Sequence, residues 1–107
     1  MSDMKIYTSN RASTGADVFV NGVRLNPYPS QKLREHSPDG FEYGYGGSGP
    51  SQLALAILLD ALENEQEALT YYQEFKWKFI ATAPFDGFVI TSLEIDYWYQ
   101  EQKRGKP

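Results

Sequence analysis

A glycine-rich stretch holds the residues whose types and spacing come nearest to a chemical site. Gly44, Gly46 and Gly49 match the G-x-G-x-x-G pattern of dinucleotide-binding loops, and an apolar helix is predicted directly after them. Such a loop holds a pyrophosphate between a strand and a helix, and a second parallel strand must follow. Here a second helix is predicted instead, which excludes a Rossmann domain. A Walker A loop is also excluded, because Pro50 rather than lysine follows the last glycine.

The same loop could still hold an anion, because a glycine-rich turn exposes backbone N–H groups and a helix start carries about half a positive charge. Pro50 weakens this interpretation, since it removes one donor. The alternative is structural: the glycines let a buried helix turn sharply and approach its neighbour closely. Both interpretations stay open. The candidate binding residues for a nucleotide or another phosphate-bearing ligand are Arg34, His36, Tyr43, Tyr45, Gly46, Gly47 and Ser48.

Catalytic residue types are sparse in this sequence. His36 is the only histidine, and cysteine is absent, so thiol catalysis and cysteine-based zinc sites are excluded. A dyad of Ser48 with His36 is conceivable, but no spacing supports it, and a surface or hydrogen-bonded histidine is the simpler expectation. A group of acidic residues fits a solvated corner between two helices: Asp60, Glu63, Glu65 and Glu67. Because metal-ligand spacing is also missing, we expect no enzyme activity, no metal and no cofactor.

Two aromatic residues lie off the apolar stripe predicted for the second long helix. Trp77 stands between Lys76 and Lys78, and Tyr71 is the other ring. Exposed Trp and Tyr side chains beside charged residues are typical of protein contact surfaces. Tyr71, Trp77 and Lys78 are therefore candidate contact residues. The alternative, that these rings cover a second layer such as the last helix, is equally compatible with the sequence.

The charge balance indicates which partners to expect. The chain of 107 residues carries a formal net charge of −4, and its basic residues are scattered. Nucleic acids and anionic lipids are attracted by positive fields, so neither is expected as a partner. The first residues have no signal-peptide pattern, and the longest apolar run, residues 53–59, is too short to span a membrane. We expect a cytoplasmic protein that contacts another protein or forms a homodimer.

The elements that must position these residues begin with strands. Residues 4–8 are predicted to form a short strand, and residues 17–25 a hairpin around an Asn-Gly pair, which tolerates the positive φ angles of a type I′ turn. Residues 26–30 are predicted to be a loop fixed by two prolines. A turn at residues 37–40 leads into a predicted strand over residues 41–45, whose rings would share one face.

Three main helices complete the predicted elements. The first covers residues 50–62, opens on a proline and is apolar around its whole circumference, so we expect it at the buried centre. The second covers residues 64–83, opens on the capping pattern Asn64-x-x-Glu67 and ends at the next proline. A short extended piece at residues 88–90 precedes the third helix, which opens on a capping box at residues 91–94. Residues 103–107 are predicted to be a flexible tail.

This order of elements predicts the α+β class. A strand, a hairpin, a further strand, two helices, a short extended piece and a last helix fit a small antiparallel sheet that is covered by helices. The length suits one domain. We therefore expect residues 1–107 to form a single α+β domain, with a sheet that includes a β-hairpin and packs against about three helices.

Three segments of the chain also resemble a known family. The segments "HSPDGFEYGYGGSGPSQLALAILLDAL", "ALTYYQEFKWKFIA" and "ITSLEI" resemble the family called domain of unknown function 6166, over residues 36–98. The resemblance implies a stand-alone protein of bacteria, archaea, phages or plasmids, hence a mobile-element setting in which a role against host defence is one expectation. It implies no activity. We expect a small acidic non-enzymatic binding protein that modulates or inhibits a host system by protein contact, with a phosphate-ligand binder at residues 44–50 as the alternative.

Overall fold

A four-stranded antiparallel sheet forms one layer of the molecule, with the strand order β3-β2-β1-β4. The computed structural model describes residues 4–10 and 16–105 of the chain. Helices form the second layer, so the predicted α+β class is confirmed. The strands are β1 Ile6–Asn10, β2 Val18–Val20, β3 Val23–Arg24 and β4 Gly87–Thr91. The helices are α1 Tyr28–Leu33, α2 Ser48–Leu62, α3 Glu65–Phe75, a π-helix Lys76–Ile80 and α4 Ser92–Gly105.

The predicted hairpin is present as β2 and β3. Asn21 and Gly22 form its turn with φ angles of 51° and 84°, the positive values that a type I′ turn needs. The pairing of Phe19 with Arg24 fixes the register of the two strands. Strand β1 then joins the hairpin to β4, so the first three strands and the strand that precedes α4 meet in one sheet.

Helix α2 lies at the centre of the molecule, as its all-round apolar sequence predicted. All of residues 53–58 are buried, because the sheet covers one side of the helix and the other helices cover the rest. The sheet contributes Tyr7 and Ile90, and Phe75 and Trp98 add an edge-to-face aromatic pair with centroids 5.5 Å apart. This core fixes where α2 begins, which is where the glycine-rich loop ends.

Two predicted helix caps are confirmed. The side chain of Asn64 accepts a hydrogen bond from the Glu67 N–H at 3.0 Å and caps α3. At α4 the bonds are reciprocal: Thr91 N–H donates to Glu94 Oε1 at 2.9 Å, and Glu94 N–H donates to Thr91 Oγ1 at 3.1 Å. Local sequence patterns therefore predicted these two helix starts correctly.

The predicted strand over residues 41–45 is wrong. This described segment is irregular, and it is bounded by Gly40 and Gly44, whose φ angles of 117° and 90° break an extended chain. Its rings also do not share one face, because Tyr43 is fully buried and Tyr45 is exposed. The alternating aromatic residues have the sequence pattern of a strand, but the glycines determine the backbone conformation.

Other boundaries also differ from the prediction. The predicted loop at residues 26–30 contains the start of α1, because proline is tolerated in the first turn of a helix. Helix α2 begins at Ser48, so Pro50 is its third residue rather than its first. The second long helix divides into α3 and the π-helix. Helix α4 continues through Gly105, so residues 103–105 are helical and not a flexible tail, and residues 106 and 107 lie outside the described part.

Within the described residues, no helix combines the length and the apolar character that crossing a membrane requires.

Candidate functional site

A buried glutamine holds the loop that carries Arg34 and His36. Gln52 on α2 is completely buried. Its Oε1 accepts hydrogen bonds from the N–H groups of His36 at 2.7 Å and Ser37 at 2.9 Å. Its Nε2 donates to Ser30 Oγ at 3.0 Å and to the Arg34 carbonyl oxygen at 3.1 Å. Because a buried amide is costly unless it is satisfied, these bonds fix the loop firmly against α2.

His36 pairs with a tyrosine rather than with Ser48. A hydrogen bond of 2.6 Å joins His36 Nε2 to the hydroxyl of Tyr72 on α3, and the two ring centroids lie 5.5 Å apart. Burial lowers the pKa of His36 below 6.5, and the positive charges of Arg34 and Lys76 lower it further. The histidine is therefore a neutral, hydrogen-bonded side chain at pH 7, and this contact does not support a Ser48–His36 dyad.

Lys76 opens the π-helix and is an unusual lysine. Its carbonyl oxygen accepts a bond of 2.8 Å from the N–H of Ala81, which is the i to i−5 pattern of a π-helix. Only 7% of its surface is exposed. Its ammonium lies 4.3 Å from the ring centroid of Trp77 in a cation–π contact. The π-helix thus places a buried cation beside the exposed indole of the next residue.

The indole of Trp77 rests on the glycine-rich loop. A Cβ added to Gly46 would lie 2.5 Å from Trp77 Cζ3, and a Cβ added to Gly47 would lie 2.7 Å from Tyr45 Cε2. The φ of Gly47 is −138°, an ordinary extended value, so contact with aromatic rings rather than backbone strain explains these two positions. Gly49 differs, since its Cβ would lie 2.7 Å from Glu42 Cβ, where α2 starts close to the preceding segment. Close approach therefore accounts for each of these glycines.

Three exposed aromatic residues lie in this loop or next to it. Tyr45, Trp77 and Phe85 expose 53%, 57% and 68% of their surfaces. Phe85 adjoins the loop because its Cα lies 3.9 Å from where a Cβ of Gly44 would stand. We call Tyr45, Trp77 and Phe85 the loop patch. Exposed apolar rings in such a cluster are typical of binding surfaces.

A cavity of about 420 Å³ lies on another side of the loop, next to the start of α2. Its lining includes Tyr45 and Ser48 together with the carboxylates Asp39 and Glu42. The cavity also contains Asp17, which pairs with Arg24 at 3.1 Å. Among its described lining residues, acidic groups outnumber basic ones. This cavity therefore suits an anion poorly, although a helix N-terminus adjoins it.

The predicted ligand-binding residues divide into three groups. Tyr45 and Ser48 line the cavity, while Arg34 and His36 lie on the Gln52-bound loop outside that lining. Gly46 and Gly47 support the rings of the loop patch. Tyr43 is a core residue, whose hydroxyl accepts a bond of 3.1 Å from Ser9 and whose ring packs edge-on against Phe88. The seven residues therefore do not form one binding site.

The predicted contact residues also divide. Trp77 and Lys78 are exposed on the π-helix. Of the two possibilities left open for Tyr71, burial is the observed one, because this side chain packs edge-on against Tyr99 on α4, with centroids 5.6 Å apart. Burial and a hydrogen bond to Glu67 raise the pKa of Tyr99 to about 12. For Tyr71, the alternative of a ring that covers a second layer is therefore the observed one.

Asp60, from the acidic group of the predicted solvated corner, has a structural role. Asp60 Oδ2 accepts a bond of 2.7 Å from the Tyr7 hydroxyl and another of 3.3 Å from Lys5 Nζ. Burial, followed by the hydrogen bond to Asp60, raises the pKa of Tyr7 above its usual range. The group therefore ties the end of α2 to β1. In the part of the chain that the structure describes, no group of three or more potential metal-ligating side chains occurs.

Sequence reasoning missed Gln52, Tyr72 and Lys76. Gln52 is the one polar residue just before the apolar run of α2, and such a residue is buried only with hydrogen-bond partners. Tyr72 and Lys76 are four residues apart, so they share one face of a helix. Extending the apolar stripe by that spacing would have placed Lys76 on the buried side. These two signals could have predicted a polar site beside His36.

Fold and site together define a small α+β protein whose glycine-rich loop supports exposed aromatic rings beside a buried lysine. The chain belongs to the Family of unknown function (DUF6166), whose sequence model matches residues 7–101. This range confirms the resemblance and extends it to include the hairpin. Comparisons with curated proteins and with solved structures found no match. The family description names no activity, so function must be argued from the geometry.

Proposed function

We propose that this chain is a non-enzymatic cytoplasmic protein that binds another protein through the loop patch. The observation that carries the proposal is the gathering of Tyr45, Trp77 and Phe85, each more than half exposed, around one loop. Aromatic side chains contribute most to binding hot spots because they bury large areas. An apolar cluster of this kind gains free energy when a partner covers it.

The patch is also preorganised for contact. Trp77 is held on one side by Gly46 and by the cation–π contact with Lys76. Tyr45 rests on Gly47, at the start of the central helix. Side chains that are already fixed lose less conformational entropy on binding. The exposed Lys78 adds a charged rim beside the rings, as protein interfaces commonly have.

The partner that we propose is a host protein, which the contact modulates or inhibits. The mobile-element setting that the family resemblance implies motivates this choice, with a host defence component as one form of it. A homodimer through the same patch is the second form. No catalytic step is proposed, because His36, the only histidine, is engaged by a hydrogen bond to Tyr72.

The experiment that tests the proposal is capture of partners from a lysate of the native host, together with mass measurement in solution. Trp77→Ala and Tyr45→Ala should abolish the capture or the dimer. Tyr97→Ala is the matched control, since Tyr97 exposes 71% of its surface on α4, outside the loop patch. A strict monomer that captures nothing would contradict the proposal. Capture that survives Trp77→Ala but not Tyr97→Ala would move the contact to α4.

A further inference from the structure

We propose that Lys76, Arg34 and His36, together with the start of α2, form a binding site for a small phosphate-bearing ligand. This inference goes beyond the proposed protein contact, because it assigns a second and chemically different site beside the loop patch. It also differs from the acidic cavity, since none of these three side chains lines that cavity.

Lys76 is the first observation. Its side chain is more than nine-tenths buried, yet within the described residues its ammonium makes no hydrogen bond and no ion pair. No fully buried side-chain nitrogen or oxygen in the described part of the chain lacks a hydrogen-bond partner. The tip of Lys76 must therefore reach solvent, while its stem and the Trp77 ring are packed around it. A cation that is held at a packed surface without an opposite charge attracts an anion, which can bond to it directly.

The start of α2 is the second observation. The Trp77 ring contacts both the Lys76 ammonium and Gly46. Gly46 directly precedes Gly47, the N-cap residue of α2. Helix α2 has fifteen residues, with neither a side-chain cap nor an acidic residue in its first turn. No residue of the first turn itself offsets the positive end of this dipole, which adds to the charge of Lys76, whereas Glu42 packs against Gly49 beside the acidic cavity.

The neighbouring loop supplies the remaining charge. Tyr72, one helical turn before Lys76, holds His36, and Arg34 is fixed two residues earlier by its carbonyl bond to Gln52. Arg34 and Lys76 are both close enough to His36 to lower its pKa electrostatically. No carboxylate among the described residues forms an ion pair with Arg34, His36 or Lys76. Arg34 and Lys76 therefore lie near His36 without a paired carboxylate, although the whole chain has a net charge of −4.

A phosphate group fits this chemistry best. It accepts several hydrogen bonds at once and can take a bidentate pair from a guanidinium, while backbone N–H groups at a helix start favour it as well. The exposed faces of Trp77 and Tyr45 lie beside the site and could stack a nucleobase. The overall negative charge disfavours a long polyanion, so we assign a small ligand rather than a nucleic acid.

Calorimetric titration at constant ionic strength tests the proposal, with inorganic phosphate, AMP and adenosine as probes. The NMR titration of His36 gives a second readout that is free of overlap, because the chain has one histidine. Phosphate and AMP should bind, and they should raise the pKa of His36 because an anion favours the imidazolium. If AMP binds more tightly than inorganic phosphate, the ligand is a nucleotide. If AMP and inorganic phosphate bind with equal affinity, the site recognises only the phosphate group.

Lys76→Met and Lys78→Met form a matched pair, since each removes one positive charge from the π-helix and keeps an unbranched side chain. Lys76→Met should weaken AMP binding by about tenfold or more, the value of one charged hydrogen bond. Lys78→Met should change it by less than about twofold. Arg34→Gln, at an exposed position, provides the test if Lys76→Met does not fold. The assignment would be overturned if both lysine variants lost AMP affinity equally or if adenosine bound as tightly as AMP. It would also be overturned if inorganic phosphate did not bind at millimolar concentration. Lys76→Met removes the cation–π contact but keeps the three rings of the loop patch, so capture of a protein partner should persist when the phosphate site is lost.

Discussion

Replacing Gln52 by leucine should test how the fold holds its candidate site. The wild-type side chain makes four hydrogen bonds, to Ser30, Arg34, His36 and Ser37. Each such bond contributes about 1 kcal/mol net, so about 4 kcal/mol is lost with all of them. Burying leucine in the same space returns about 1–2 kcal/mol through its apolar surface. The expected net loss in the free energy of unfolding is therefore about 2–3 kcal/mol.

At about 4–8 °C for each kcal/mol in a domain of this size, that loss should lower the melting temperature by about 10–20 °C. Thermal unfolding followed by circular dichroism measures it. The loop should also detach from α2 in the folded variant, so the pKa of His36 should return toward the ordinary value of 6.5. A melting temperature within about 3 °C of wild type, together with an unchanged His36 titration, would refute the argument that Gln52 positions this loop.

Three further predictions concern the glycines and the histidine. Gly87→Ala should be severely destabilising, by about 2–5 kcal/mol in unfolding experiments, because φ is 152° and a Cβ would overlap the Ser9 carbonyl oxygen inside the sheet. Gly46→Ala should change stability by less than about 1 kcal/mol, since only the half-exposed Trp77 ring must move, and a shift in tryptophan fluorescence should report that movement. The pKa of His36 is lowered in the folded state, so the unfolded state takes up a proton first as the pH decreases. The free energy of unfolding should therefore fall between pH 6.5 and the folded pKa and then level off. Urea unfolding at several pH values measures this, and a His36→Gln variant with the same pH dependence of stability as wild type would contradict it.

Sequence patterns predicted the features that local interactions decide. The Asn21-Gly22 turn and the Thr91–Glu94 capping box depend on residues within a few positions of each other. The central position of α2 followed from its uninterrupted apolar surface, which can only be satisfied in a core. The α+β class followed from the order of these elements. None of these predictions required knowledge of the long-range contacts in the fold.

The features that tertiary contacts decide were not predictable in the same way. Residues 41–45 have the alternation of a strand, but the buried hydroxyl of Tyr43 bonds to Ser9 and draws that ring into the core. Helix α1 forms where two prolines suggested a loop, because both lie at positions that tolerate them. The π-helix carries no recognised sequence pattern. The partners of Gln52 lie fifteen to twenty-two positions away, in α1 and the loop that follows it.

The π-helix is the element that links the two proposed sites. In a regular α-helix, neighbouring residues point about 100° apart, and the wider π-turn adds one residue without breaking the helix. Here Lys76 is buried and Trp77 is more than half exposed, and the Lys76 ammonium lies over the Trp77 ring. A partner protein that covers Trp77 would bury the Lys76 ammonium further and strengthen its attraction for an anion. Linkage then requires that an anion bound at Lys76 change the affinity for the partner by the same factor. If both sites are functional, they are therefore thermodynamically coupled, and the glycine-rich loop supports both of them.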